Sequence, residues 1–197
     1  MLTGMVLVAG FLAVVDIGYV PLVTSRIKVV AEIACALLAV AVMTYTGVYL
    51  QSTKAVAFWD TPLVPVLFVL SAVSSGIAAT VIVAAFMRDS WRLDSWLLRL
   101  NGAHIAVLIS EACVLVLYVA ASLTGRGEAP TSLALLFSGD LRLWFVGGAC
   151  VAGIAVPLLS EVACVVLRRP RSIPLSDVLC LLGGYALRYC LVAAGLH

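Results

Sequence analysis

The amino-acid sequence predicts an all-α fold, a polytopic transmembrane helical bundle of about six spans with both termini extracytoplasmic. Three observations predict it. Of the 197 residues, 64% are hydrophobic and only 11% are charged, where soluble chains carry roughly 25% charged residues. Apolar runs long enough to cross a bilayer, about 20 residues each, recur near 2–23, 27–50, 62–87, 100–123, 142–167 and 176–195. The Lys and Arg residues, finally, are divided unequally between alternate connections, which sets the orientation.

The first run, MLTGMVLVAGFLAVVDIGYV, lacks a basic n-region and a clear small-residue cleavage site, and Asp16 lies within it. It reads as a retained helix, not a signal peptide. The second run ends in Tyr45, Tyr49 and Gln51. Pro62 and Pro65 suit the first turn of the third, whose Ser71, Ser74, Ser75 and Gly76 make a small polar face for a tight contact. In the fourth, His104 and Glu111 are seven residues apart, which puts them on one helical face two turns from each other. Gly147, Gly148 and Gly153 in the fifth run, with Gly183 and Gly184 in the sixth, permit close helix approach, and Pro157 predicts a kink. The connections are short, so residues 1–197 read as a single integral membrane domain.

The connections after the first, third and fifth runs hold Arg26, Lys28, Arg88, Arg92, Arg99, Arg168, Arg169 and Arg171, against Lys54, Arg126 and Arg142 on the other side. The basic side is cytoplasmic, so residues 44–68 and the 124–141 loop face outward, across a bacterial-type cytoplasmic (inner) membrane. With a net charge of +2 and the basic residues in loops, a nucleic-acid partner has no support.

Each charge near the bilayer centre costs about 2.5–3.5 kcal/mol on insertion scales, so Asp16, Glu32, His104, Glu111, Glu161 and Arg188 need a reason to be there. Two are open: a proton or hydration pathway rising from the cytoplasm, or polar contacts that fasten helices together. An ion-coupled transporter would use Asp16, Glu32 and Glu111 as an ion path, but the internal repeats and broken midplane helices common in transporters do not stand out. Cys35, Cys113, Cys150, Cys164, Cys180 and Cys190 all fall within expected helices and form no C-x-x-C pair. They read as small packing residues, with neither metal nor iron–sulfur ligation expected. A transmembrane b-type haem normally takes two histidines; His104 is the one intramembrane histidine and His197 is terminal, so no haem is expected.

The stretch TYTGVYLQSTKAVAFWDTPLVPVLF, residues 44–68, gathers Tyr45, Lys54, Trp59 and Asp60 at one rim. Tyr and Trp at this depth anchor helices in the interface. The same set also offers a quinone headgroup an amphipathic slot, donors to its two carbonyl oxygens, and groups that relay protons.

The wording YTGVYLQSTKAVAFWDTPLVPVLFVLSAVSSG resembles the membrane subunit of the polysulfide-reductase family, the NrfD-like anchors, which read Y-[TP]-G and then F-W-[ND]-T-P-L-x-P-x-L-F before a serine- and glycine-containing helix. The last run, LLGGYALRYCLVAAG, is similar to that family's closing L-G-G-x-x-L-R-Y-x-x-V-x-A-G. The resemblance covers about residues 27–195, with residues 88–175 matching only in hydropathy and spacing.

It implies a haem-free anchor that exchanges electrons between membrane quinone or quinol (menaquinone or ubiquinone) and an extracytoplasmic ferredoxin-like iron–sulfur subunit. That subunit would connect to a molybdopterin-type catalytic subunit, so this chain would complete no substrate reaction alone. The resemblance puts Tyr45 at the quinone headgroup and makes Arg188 a buried charge partner or part of the proton path. A non-redox scaffold or proton-conducting subunit is the alternative within the family. Members usually have eight or more helices, and two that would precede the first run have no counterpart in this sequence. A shortened form, helices from another subunit, or a rebuilt pocket each fit that expectation.

Overall fold

The computed structural model describes residues 25–52, 58–86, 93–124, 129–139, 141–166 and 175–195. These form helices α1 (Ser25–Ser52), α2 (Leu63–Phe86), α3 (Leu93–Thr124) and α4 (Ala129–Ser138), a π-helix (Leu143–Ala155), then α5 (Val156–Val166) and α6 (Leu175–Gly195). Among the described residues there is no strand. Hydrocarbon cannot satisfy backbone N–H and C=O groups, so an apolar run must close its hydrogen bonds within itself. Among the described residues, five stretches are long and apolar enough to cross a membrane: Val29–Ser52, Leu63–Ala85, Arg99–Thr124, Leu143–Val166 and Leu175–Gly195. The run expected at 2–23, with Asp16, lies outside the described residues.

Four of the five stretches build the bundle. α2 packs against α3 on one side and α6 on the other, and the π-helix and α5 complete the ring by touching both α6 and α3. α3 and α6 face each other diagonally across the middle, and neighbours in the ring run antiparallel. α1 is an outrigger whose one helix partner among the described residues is α2. Their contact is made by small atoms: a Cβ at Gly47 would run into the Cα of Pro65. Most of α1 is exposed, including Val30, Leu37 and Val40, as lipid-facing side chains are.

Helix five departs from the expected kinked span. Leu143–Ala155 is a π-helix and only Val156–Val166 is α-helical. Pro157 has no N–H for an α-type bond, and just before it the Val156 N–H reaches back five residues to the Val151 carbonyl. The wide turn carries Gly148 and Gly153 onto α6. There, a Cβ on Gly183 would overlap Gly153, and one on Gly148 would lie 3.1 Å from the Ala186 methyl. This backbone-to-backbone seam is the most extensive helix contact among the described residues. The expected 124–141 loop contains α4, whose Leu133 and Leu136 are buried over one end of the bundle, while Phe137 meets Phe145 edge-on at 5.4 Å.

Candidate functional site

The sequence makes one face of α3 polar at long intervals. Asn101, His104, Leu108, Glu111, Leu115, Tyr118 and Ser122 are all buried, at steps of three or four residues that keep them on one face. At 1.5 Å per residue, His104, Glu111 and Tyr118 stand about 10 Å apart along the axis. Because α3 looks across the ring at α6, this stripe becomes a column in the middle of the bundle.

At one end, His104 Nδ1 lies 2.6 Å from Glu161 Oε1, with both side chains at 0% exposure. Asp177, from the first turn of α6, joins them: one donor atom from each of His104, Glu161 and Asp177 lies within 4.8 Å of the other two. Cys180 Sγ is 3.7 Å from His104 Nε2. In the middle, the Ser74 hydroxyl donates to Glu111 Oε2 at 2.9 Å and also approaches the Ser71 carbonyl. Arg188 is the cationic neighbour of Glu111, and its Nε and Nη2 are buried without a hydrogen-bond partner among the described residues. Ser74, Glu111, Cys180, Gly153, Gly183 and Gly184 line a crevice too tight for a water molecule, with Cys180 linking the two groups.

At the other end the column is closed by the Phe58–Trp59 turn. Tyr118 Oη donates to the Phe58 carbonyl at 2.9 Å, and the two rings meet edge-on at 5.3 Å. Trp59 Nε1 donates to the Leu191 carbonyl at 2.9 Å, and the indole lies where a Cβ on Gly195 would go.

His104 and Glu161, expected on one path from different helices, are directly paired, and Glu111 and Arg188 are charged neighbours. Glu32 is exposed on α1, away from the column, and Asp16 and Lys54 lie outside the described residues. The rim set is divided. Tyr45 and Tyr49 are 60% and 62% exposed on α1 with rings 6.1 Å apart, Asp60 is exposed, and Trp59 points into the bundle. Between α1 and α2 runs an apolar groove of about 240 Å³, lined by Thr44, Pro65, Val66, Val69 and Leu70; Gly47 faces Pro65, so Tyr45, two residues away, projects from the opposite side of α1.

Sequence reasoning missed Asp177, Ser74 and Cys180 as members of the column. Asp177 sits where a helix-capping carboxylate is ordinary, and Ser74 was indistinguishable from its packing neighbours Ser71 and Ser75, which lie against Gly184. A signal was present all the same: Asp177 and Cys180 are three apart on α6, hence on one face. Gly76, grouped with that serine face from the sequence, is exposed with nothing near its missing Cβ.

The two stretches that carry the family wording touch in space. Trp59 of the first is bonded to Leu191 of the second, and Ser71 and Ser75 of the first pack on Gly184 of the second. The family model described as "Polysulphide reductase, NrfD" matches residues 3–197. A polysulfide reductase subunit of Wolinella succinogenes is 28% identical over 167 residues, 83% of this protein and 53% of that one. Protein NrfD of Escherichia coli is 31% identical over 162 residues, 80% of this protein and 50% of its own length. The NrfD homolog of Haemophilus influenzae is 25% identical over 178 residues, 88% of this protein and 54% of its own length. The chain therefore spans about half the length of the curated relatives it matches. No solved structure matches it. With a match running almost from end to end and its two signature stretches packed on one another, this chain belongs to the NrfD polysulphide reductase family.

Proposed function

We propose that the chain is a haem-free membrane anchor of a respiratory oxidoreductase complex. It exchanges electrons between membrane quinone or quinol and an extracytoplasmic ferredoxin-like iron–sulfur subunit, which serves a molybdopterin-type catalytic subunit. The observation that carries this reading is the family match over residues 3–197; Tyr45, in the first signature stretch, offers a phenol exposed on α1. On this reading the Tyr45 hydroxyl, exposed on α1, meets a headgroup oxygen of a lipid-soluble quinone. A quinol there would supply two electrons and two protons. Tyr45 orients the headgroup and accepts or passes a proton, and Asp60, exposed on the same rim, is the next acceptor. The Phe58–Trp59 end of the bundle is taken as the extracytoplasmic face, where the iron–sulfur partner docks.

Purification of the intact complex in mild detergent, with mass spectrometry of its subunits and extractable quinone, tests this. An iron–sulfur partner with near-stoichiometric quinone is expected. In that complex Tyr45→Phe should lower quinol-dependent turnover at least about tenfold, the low end of what a positioned proton-transfer group contributes, while assembly is preserved. A chain that purifies alone without quinone, or unchanged turnover in the variant, overturns the respective part.

The column favours a second reading, a subunit that conducts protons without exchanging electrons, with Glu111 as the middle station between Ser74 and Arg188. It predicts a partnered complex devoid of quinone, in which Glu111→Gln slows proton-coupled turnover while the complex stays assembled. If that variant falls apart instead, Glu111 serves packing.

A further inference from the structure

We propose that His104, Asp177 and Cys180 form a transition-metal site at the end of the column opposite Trp59, for a Zn²⁺-class divalent ion, with Glu161 orienting the histidine. The four side chains come from three helices, α3, α5 and α6, and are 0–1% exposed. One donor atom from each of His104, Glu161 and Asp177 lies within 4.8 Å of the other two. Core sites of this kind, assembled from facing helices, are a recurring feature of four-helix bundles.

The geometry around the imidazole is the stronger argument. Glu161 Oε1 sits 2.6 Å from Nδ1; with Glu161 as a carboxylate, Nδ1–H donates and the Nε2 lone pair is turned toward Cys180. A carboxylate on the far nitrogen is the usual support of a metal-bound histidine. Facing Nε2 is Cys180 Sγ, at 3.7 Å. Two ligands on one tetrahedral zinc, with bonds of about 2.0–2.1 Å to nitrogen and 2.3 Å to sulfur, stand about 3.6 Å apart. Asp177 lies one turn before Cys180 on the same face of α6 and supplies the oxygen. A neutral imidazole, a carboxylate and a thiolate balance a divalent charge, and Cys180 binds by releasing its proton to solvent as the ion enters. The cysteines that the sequence presents as packing residues thus include one ligand. Occupancy would hold His104 and Glu161 fixed and leave proton traffic to Glu111.

The test is metal analysis of the full chain, purified in mild detergent within whatever complex it forms, followed by chelation and titration with Co²⁺. About one equivalent of bound metal is expected, and cobalt should give tetrahedral visible bands with a near-ultraviolet sulfur-to-cobalt band. Cys180→Ser, nearly isosteric, should lose the sulfur band. Asp177→Asn and His104→Ala should lose stoichiometric binding, and Glu161→Gln should weaken Co²⁺ affinity about 10–100-fold. Absence of both native metal and a cobalt spectrum overturns the site, as does a sulfur band that survives Cys180→Ser. If His104→Ala fails to fold, Cys180→Ser in a monodisperse preparation decides alone, because a hydrogen-bonded thiol–imidazole pair produces no cobalt spectrum.

Discussion

Trp59 and Tyr118 each fasten the rim of the bundle with one buried hydrogen bond, to the carbonyls of Leu191 and Phe58. In water-free surroundings an orphaned carbonyl cannot turn to solvent, yet measured interhelical bonds in membranes are modest. Trp59→Phe and Tyr118→Phe are therefore each expected to cost about 1 kcal/mol, measured by reversible unfolding in mixed detergent micelles. Unchanged stability in both would mean that ring packing alone holds the turn. Composition and depth suggested that Trp59 belongs to the membrane interface or a headgroup slot. Its depth in the chain was legible, but its direction was not: the choice between lipid and α6 depends on Gly195 leaving room for an indole, 136 positions further on.

Between helices, the seam of the π-helix and α6 is set by missing side chains. A methyl at Gly183 would collide with the Gly153 backbone, and backbone cannot move aside as a side-chain tip can. Gly183→Ala is expected to destabilise by about 1–3 kcal/mol or more. Gly102→Ala is the matched control. Gly102 is exposed on α3 with nothing near its missing Cβ, so alanine there should stabilise by up to about 1 kcal/mol through helix propensity and a restricted unfolded chain. Thermal unfolding of the two variants in one detergent checks both signs; a Gly183→Ala protein as stable as the parent would refute the contact. Glycine spacing announced that helices approach closely here. It did not announce a π-helix, because a proline at 157 dictates only that its nitrogen cannot donate, and a kink and a widened turn both satisfy that. α4 escaped notice for a different reason. Ten residues are too few to span, and a short apolar run has no partner until the bundle offers Leu133 and Leu136 a surface.

For the molecule as a whole, the orientation expected from basic residues on alternate connections is open to direct measurement. With the six native cysteines as background, Asp60→Cys, exposed on the rim turn, should react with a membrane-impermeant maleimide from outside intact spheroplasts. Labelling only after lysis would reverse the topology and move the proposed quinone rim and docking face to the cytoplasm.

The sequence by itself determined that this is a helical membrane protein, roughly where its spans begin and end, and which family it resembles. Those properties are additive along the chain: a bilayer of fixed thickness asks each run only for about 20 apolar residues, and a family motif is a string. Tertiary structure alone decided which buried charges meet. Helical periodicity places His104 and Glu111 on one face of α3, but it cannot say that this face looks across the ring at Asp177 and Cys180, or that Glu161 arrives from α5. Faces are paired by packing, here by glycines that let α6 and the π-helix touch, and only that pairing turns scattered polar residues into a column.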